Sequence, residues 1–477
     1  MKLLTLSNSC PRWHDGGLLP RSPGGLVPML IALLAEHGGH WVFTAPPGSA
    51  PAGPVQLADG VRLHPLELAE EARRQHYDTV SIGLLLGLLH YLHDTSTQPV
   101  VDGDMAAAWT GYEAVNRTYA NRLGELAGNS ADELVLINDP HLMLVPEFYA
   151  AQGERANRLA YFLGTPWCEP DYFSILPSWM RTKILESLLR CDVVGFHAGR
   201  WVDAFLACCR RYLPDATIDG WTVSHRGRTT RMVAVPFPLD VDAVERVRQE
   251  PATAVWQGRL AALAGGRRIL TRADRLDLWK NMTRGFLAYE AMLERRPELA
   301  GECWFASIAT VPSRATARHD AYRAENEAIV RRINERFGSP DREAVSLIYP
   351  GTGGDSRNSV IAALGMCDAA LVNSTYDGLN LFAKEAALVL PDSASLLLSE
   401  NAGVHEQLGR FAVPIDPFDI GGTSTAMEAA LDGRTAQAGG VAGRRALLRA
   451  ESAGQWLEAV FAPAGFRGAA GRLGIAV

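Results

Sequence analysis

ILTRADRLDLWKNMTRGFLAYEAMLER, residues 269–295, passes from a short apolar run through a charged loop into a long amphipathic stretch. The run Ile269–Thr271 reads as a buried strand and Asn281–Arg295 as the helix after it, the unit from which parallel βαβ sheets are built. The same alternation continues outward. Downstream, strands are expected at Cys303–Ile308, Val345–Ile348, Ala369–Val372 and Ser395–Leu398, with helices at Ala317–Phe337 and Leu381–Leu390. Upstream, strand signals fall at Leu3–Ser7, Trp41–Thr44, Leu134–Asn138, Leu159–Leu163 and Val193–Phe196. Helix signals there cover Gly25–Glu36, Val80–His93, Met105–Ala127, Leu176–Arg190 and Ala198–Tyr212. The pattern runs once, breaks, and restarts, so the fold class is α/β with two doubly wound units in series. The break lies near Pro236–Ala264, because Pro236 and Pro238 cannot sit in a central strand.

Length and composition agree with this division. A chain of 477 residues exceeds the ~250–300 at which single cores stop growing. Hydrophobic residues make up 47% and charged residues 21%, the balance of a globular protein. The net charge of −7 carries no Lys/Arg block, so no nucleic-acid and no membrane-surface partner is expected. Seven cysteines include no CxxC pair and no zinc-type Cys/His cluster. No metal site is expected, and the compartment is read as reducing and cytoplasmic. The opening MKLLTLSNSCPRW has too few apolar residues for a signal peptide.

Lysine is scarce: only Lys2, Lys183, Lys280 and Lys384 occur, and two of them fall in informative segments. In Asp274-Arg275-Leu276-Asp277-Leu278-Trp279-Lys280-Asn281 a guanidinium and an ammonium stand five residues apart at the mouth of a helix, a pair suited to a diphosphate. A solvated helix start is the plainer reading. In Asn373–Glu385 a strand turns tightly into a helix; Asp377 is suited to sugar hydroxyls and Glu385 to the two hydroxyls of a ribose, while Asn380 also suits a simple N-cap. Asn138-Asp139-Pro140-His141 leave a buried strand at its carboxyl end, where open α/β sheets bind ligands. Asp139 is suited to orient an acceptor hydroxyl; His141 reads equally as a satisfied core histidine. Pro23-Gly24-Gly25-Leu26 open an apolar helix, either as a phosphate-approaching glycine turn or as a plain one.

Collinear along the chain, the segments INDPHLM, CDVVGFHAGRWVDAFL, DRLDLWKN, FLAYEAMLERRPEL and DGLNLFAKEAAL together resemble the trehalose-6-phosphate synthase family of retaining glycosyltransferases, over nearly the whole chain. The resemblance implies a GT-B architecture of two facing Rossmann-like domains with an interdomain cleft. It divides the chain into 1–240 for the acceptor, 241–455 for the donor, and a tail 456–477 that packs back on the first domain. It implies donor binding by Gly25, Arg275, Lys280, Asp377, Gly378, Leu379, Asn380, Leu381 and Glu385. Acceptor binding falls to Asp139, Tyr77, Arg314 and His141, and catalysis to Arg275, Lys280, Asp139 and Asp377. The substrate is a nucleotide diphosphate sugar of UDP or GDP type, with no cofactor and no metal. The Asp102-Gly103-Asp104 stretch is accordingly read as a loop. Homo-oligomerisation is left open. Transfer would proceed by front-face substitution with retention, the leaving phosphate oxygen taking the acceptor proton.

Departures from the family gather on the acceptor side. Its SNR opening reads Ser7-Asn8-Ser9, so an arginine expected at the acceptor phosphate is absent; Arg12 and Arg21 are the candidates to replace it. A family histidine near the reacting sugar stands as Gly164, and two family tryptophans as Thr44 and Leu86. Losing one phosphate-binding arginine removes hydrogen bonds worth roughly 1.5–3 kcal/mol each. A changed acceptor is therefore the first expectation, an amino sugar or aminocyclitol of secondary metabolism, moved as a sugar or pseudo-sugar. An ordinary trehalose-6-phosphate synthase and a catalytically silent homologue are the alternatives.

Overall fold

The structure, a computed structural model, describes residues 2–11, 13–14, 17–18, 25–46, 48, 53–312, 316–351, 354–435 and 440–462. Arg12, Arg21, Pro23, Gly24 and Arg314 lie outside the described residues. The chain forms two units. One runs to Phe237 and takes up the chain again from Ala453; the other holds Pro238–Ser452.

In the first unit the strands are β1 (Lys2–Ser7), β2 (Trp13–His14), β3 (Gly17–Leu18), β4 (Gly39–Thr44), β5 (Val55–Ala58), β6 (Val61–Leu66), β7 (Glu133–Asn138), β8 (Arg158–Phe162), β9 (Val193–Phe196), β10 (Thr217–Asp219), β11 (Thr222–His225) and β12 (Arg228–Ala234). Strands β2 and β3 pair only with each other. The rest make one sheet in the order β10-β11-β12-β9-β8-β7-β1-β4-β6-β5. Its middle, from β12 to β6, is parallel, with antiparallel additions at both edges. The chain grows from β1 outward to β4 and β6, then returns to β7 on the other side. The direction of winding therefore reverses between β1 and β7.

The second unit has β13 (Arg268–Arg275), β14 (Cys303–Thr310), β15 (Val345–Ile348), β16 (Ala369–Val372), β17 (Ser395–Ser399) and β18 (Val413–Ile415). All are parallel, in the order β15-β14-β13-β16-β17-β18. This is a 3-2-1-4-5-6 winding with its reversal between β13 and β16. The helix Met282–Arg295 covers the sheet with Met282, Phe286, Tyr289, Met292 and Leu293, all fully buried. Each such side chain removed from water stabilises the unit by about 1.5–3 kcal/mol.

Three expectations change. The helix predicted at Val80–His93 begins at Glu70 and ends at Leu89, with i→i+5 winding over Arg74–Leu86. Its first turns, EEARRQH, are too polar to show an apolar period. Asp102 is not part of a loop: it caps the helix Gly103–Leu126, its carboxylate accepting from Met105 N at 3.0 Å. The strands β5, β6, β10, β11, β12 and β18 carried no clear apolar run; the first five form antiparallel pairs at the two edges, with outward residues facing solvent. The segment after Ser452 forms the helix Ala453–Phe461, and its Trp456 ring lies edge-on to Phe162 and Phe237 of the first unit. No described helix is long and apolar enough to cross a membrane.

Candidate active site

Strand β13 ends at Arg275 and β16 at Val372, so the loops 276–281 and 373–380 leave the sheet side by side at its reversal, where ligands bind in open α/β sheets. Two asparagines lock the loops together. Asn281, held left-handed at φ 58°, donates from Nδ2 to Asn373 O and to Pro417 O, both at 2.8 Å, and Asn373 Nδ2 returns a bond to Asn281 O at 2.9 Å. Beneath them the fully buried Arg272 bonds Asp274 Oδ2 at 2.6 Å, Asn373 Oδ1 at 3.0 Å and Lys280 O at 2.7 Å. A Cβ at Gly285 would lie 2.6 Å from Arg272 Nη1, so that helix position must be glycine for the guanidinium to fit.

On this base Lys280 Nζ donates to Asp377 Oδ2 at 2.6 Å. The same oxygen accepts from Ser374 Oγ at 3.1 Å and from Asn380 Nδ2 at 3.0 Å. Burial works against the charge on Lys280, but Asp377 and Asp274 outweigh it and hold its pKa above the ordinary lysine value. An ammonium has three donors, so one bond to Asp377 leaves others for an incoming anion. Asn380, at φ 80°, caps the helix Leu381–Val389 by accepting from Ala383 N at 3.1 Å. The cap reading and the site reading of this residue hold together. The first-turn amides of that helix form the positive end of its dipole. The loop carrying Asp377, Gly378 and Leu379 is tied back by Gly403 N to Asp377 O and Val404 N to Leu379 O, each at 2.9 Å.

Arg275 behaves differently. Its side chain is 63% exposed and bonds Asp277 Oδ2 at 2.6 Å, whereas Lys280 is 15% exposed. Glu385, one turn into its helix, meets Arg357 Nη1 at 2.9 Å, and burial raises its pKa despite that guanidinium. Lys384 turns away and forms a buried ion pair with Glu451 at 2.9 Å. Sequence reading missed Arg272, Asn281, Asn373 and Arg357. The signal for Arg272 was an arginine inside an apolar strand; Arg357 had none.

In the first unit the reversal brings the ends of β1 and β7 together. Asn138 Nδ2 donates to Leu6 O at 3.1 Å, and the Trp41 indole donates to Ser7 Oγ at 3.0 Å. Asp139 sits at φ 73°, ψ 152°, a conformation costing a non-glycine residue about 1–3 kcal/mol. The carbonyls around it hold it there. Asp139 O accepts from the Tyr161 hydroxyl, Pro140 O from the Tyr112 hydroxyl at 2.7 Å, and His141 O from Asn116 Nδ2 at 3.0 Å and from His76 Nε2 at 2.8 Å. Burial pushes the Asp139 carboxyl up to about 7, opposed only in part by a hydrogen bond from Ser9. Tyr77 stacks on His141 with centroids 5.2 Å apart. The His141 ring nitrogens are buried and make no hydrogen bond among the described residues, so it is not the satisfied core histidine the sequence allowed. Burial, then His76, lowers its pKa to about 3.

Gly164 follows β8, and a Cβ there would lie 3.7 Å from His197 Nε2. His197, the residue after β9, is buried against the rings of Phe162 and Phe237. An imidazole thus stands beside the position whose own side chain is missing. Gly25, at φ 92°, precedes the helix Leu26–His37, and no described residue comes within 4 Å of its Cβ position.

With this geometry in view, the family profile described as Glycosyltransferase family 20 matches residues 18–461. The alpha,alpha-trehalose-phosphate synthase [UDP-forming] 2 of Aspergillus niger is 30% identical over 436 residues, covering 88% of this chain and 87% of that one. A bifunctional trehalose-6-phosphate synthase/phosphatase of Thermoproteus tenax is 28% identical over 90% of this chain and 59% of its own. Among solved structures, the alpha,alpha-trehalose 6-phosphate synthase of Burkholderia multivorans superposes with a TM-score of 0.81 at 26% identity, covering 95% of this chain and 96% of that one. That of Burkholderia xenovorans, in complex with glucose-6-phosphate, gives 0.82 at 24% identity, with 96% and 98% covered. Two Rossmann-like α/β units of this kind are the GT-B fold class, that of a glycosyltransferase. The chain belongs to glycosyltransferase family 20, whose members transfer with retention.

Proposed function

We propose that this chain moves glucose from a UDP-glucose-type donor onto a phosphorylated sugar, the reaction named for its curated relatives. The observation that carries the donor half is Lys280 held against Asp377 at the carboxyl edge of β13 and β16. Lys280 and Arg275 receive the negative charge that grows on the departing diphosphate, together with the first-turn amides of Leu381–Val389. Asp377 orients hydroxyls of the transferred sugar, with Gly378, Leu379, Asn380 and Leu381 lining its approach. Glu385 accepts the ribose hydroxyls, and Gly25 lets backbone come close to the phosphates. No metal is required where two cations neutralise the leaving group. On the acceptor side Asp139 orients the attacking hydroxyl, and Tyr77, His141 and Arg314 hold the rest of the sugar phosphate. The leaving phosphate oxygen takes the acceptor proton on the same face, so the anomeric configuration is kept.

A second reading keeps the donor chemistry and changes the acceptor to an amino sugar or aminocyclitol. Two observations favour it: Ser9 hydrogen-bonds Asp139 where the resemblance expects an arginine, and Gly164 with its neighbour His197 replaces the expected histidine. One experiment separates them. UDP release is measured with UDP-glucose and GDP-glucose against glucose 6-phosphate, glucose, glucosamine 6-phosphate and an aminocyclitol phosphate, and the product anomer is read by NMR. Efficient trehalose 6-phosphate formation supports the first reading, and turnover with the amino acceptors alone supports the second. Absence of nucleotide-sugar turnover and of UDP binding overturns both.

A further inference from the structure

Arg357 lies in the first turn of the helix Gly354–Leu364, which follows β15, and its side chain is 9% exposed. Its Nη1 donates to Glu385 Oε1 at 2.9 Å. Its Nε and Nη2 are buried and make no hydrogen bond among the described residues. A guanidinium carries five N–H donors in a fixed fork and never accepts. Buried donors are almost always satisfied in native proteins, and charged ones left unmade are the most costly. On the neighbouring helix Leu381–Val389 the partner of this guanidinium is Glu385, met through Oε1. The pair therefore offers N–H donors and a carboxylate acceptor on adjoining groups, under cover and at the carboxyl side of the sheet.

We infer that Arg357 is a further, specificity-determining residue of the donor site, donating to oxygen acceptors of the nucleoside whose hydroxyls Glu385 accepts in the reading above. The inference rests on the donor reading above and deepens it. A diphosphate alone does not suit the pair, since it carries only acceptors and Glu385 repels it. A nucleoside suits it, because ribose hydroxyls both donate and accept and a uracil or guanine base adds carbonyl oxygens. Arg357 then discriminates among donors by their nucleoside.

The test is calorimetric titration of the full chain and of Arg357→Gln with UDP, which has no hexose, and with pyrophosphate, which has no nucleoside. UDP affinity is expected to fall roughly 10- to 100-fold in the variant while pyrophosphate affinity moves less than twofold. Two analogues tell which oxygen is met. If 2′,3′-dideoxy-UDP binds wild type weakly and the variant no worse, Arg357 meets the ribose; if the preference for UDP over ADP collapses, it meets the base. Unchanged UDP affinity in a variant with the wild-type unfolding midpoint overturns the inference, as does an equal loss for pyrophosphate. Should Arg357→Gln fail to fold, Arg357→Lys keeps the charge but not the fork, and unchanged UDP affinity there overturns it too. A wild-type chain that binds neither UDP nor pyrophosphate breaks the donor reading itself. Wild-type binding with an indifferent Arg357→Gln breaks this inference alone.

Discussion

The two sheet reversals of this protein are built alike in backbone and oppositely in charge. At the second, each buried carboxylate has a cation against it: Asp274 with Arg272, Asp377 with Lys280, Glu385 with Arg357. At the first, Asp139 has among the described residues a serine hydroxyl alone to offset burial, and its carboxyl rises to about 7. A paired site is set in advance for an anion whose charge grows during reaction. A lone desolvated carboxylate is instead poised between charge states near neutrality, which suits contact with a neutral hydroxyl.

Lys280→Ala strikes this contrast hardest. Turnover is expected to fall about 100- to 1000-fold, the scale of one lost electrostatic contact in the transition state. Because Asp377 is left without its cation, stability falls by about 1–3 kcal/mol as well, read as a shift in urea midpoint. Arg275→Ala sharpens the difference between the two cations: its exposed side chain contributes little to the fold. Activity should drop by at least about 10-fold, with the melting temperature unchanged. A variant that loses stability and keeps activity would reverse the roles given to the pair.

Gly164→His tests the carboxyl edge of the first sheet next to its reversal, at the end of β8. Its Cβ fits at ordinary contact distance, but an imidazole there competes for the space of His197. We expect acceptor KM to change several-fold while donor KM holds, roughly the effect of a displaced polar contact; equal effects on both substrates would break the assignment of this region to the acceptor.

The smallest effect concerns pH. The folded chain keeps the Asp139 proton up to about 7, whereas an unfolded aspartate loses it near its ordinary value of 3.8. The native state thus binds the extra proton through that window, and stability falls as pH rises across it, then levels above 7. Asp139→Asn should abolish that decline in urea midpoints. It should also remove the rise in acceptor kcat/KM expected as the carboxylate ionises. A wild-type stability profile flat from pH 4 to 7 would contradict the lone-carboxylate picture.

Much of the frame was legible because parallel strands are buried on both faces and so appear as apolar runs. Val193–Phe196, Val345–Ile348 and Ala369–Val372 fall where the pattern puts them. The edge hairpins and the polar start of the Glu70–Leu89 helix were hidden, since half-exposed elements dilute that signal. Lys280 and Asp377 were both picked out, yet 97 residues separate them and no local rule joins them. Arg357 illustrates the limit further, its chemistry arising only from a partner 28 residues away on another helix.

The sequence by itself determined two wound α/β units, a break near Pro236–Ala264, and which loops carry charge, because periodicity and proline act through neighbours along the chain. Only the tertiary structure decided which charges are paired, which of two motif lysines faces the site, and that Asp139 is left without a cation among the described residues. Pairing and burial depend on what the fold brings within a few ångströms, and the strength of a charge depends on the water removed from around it.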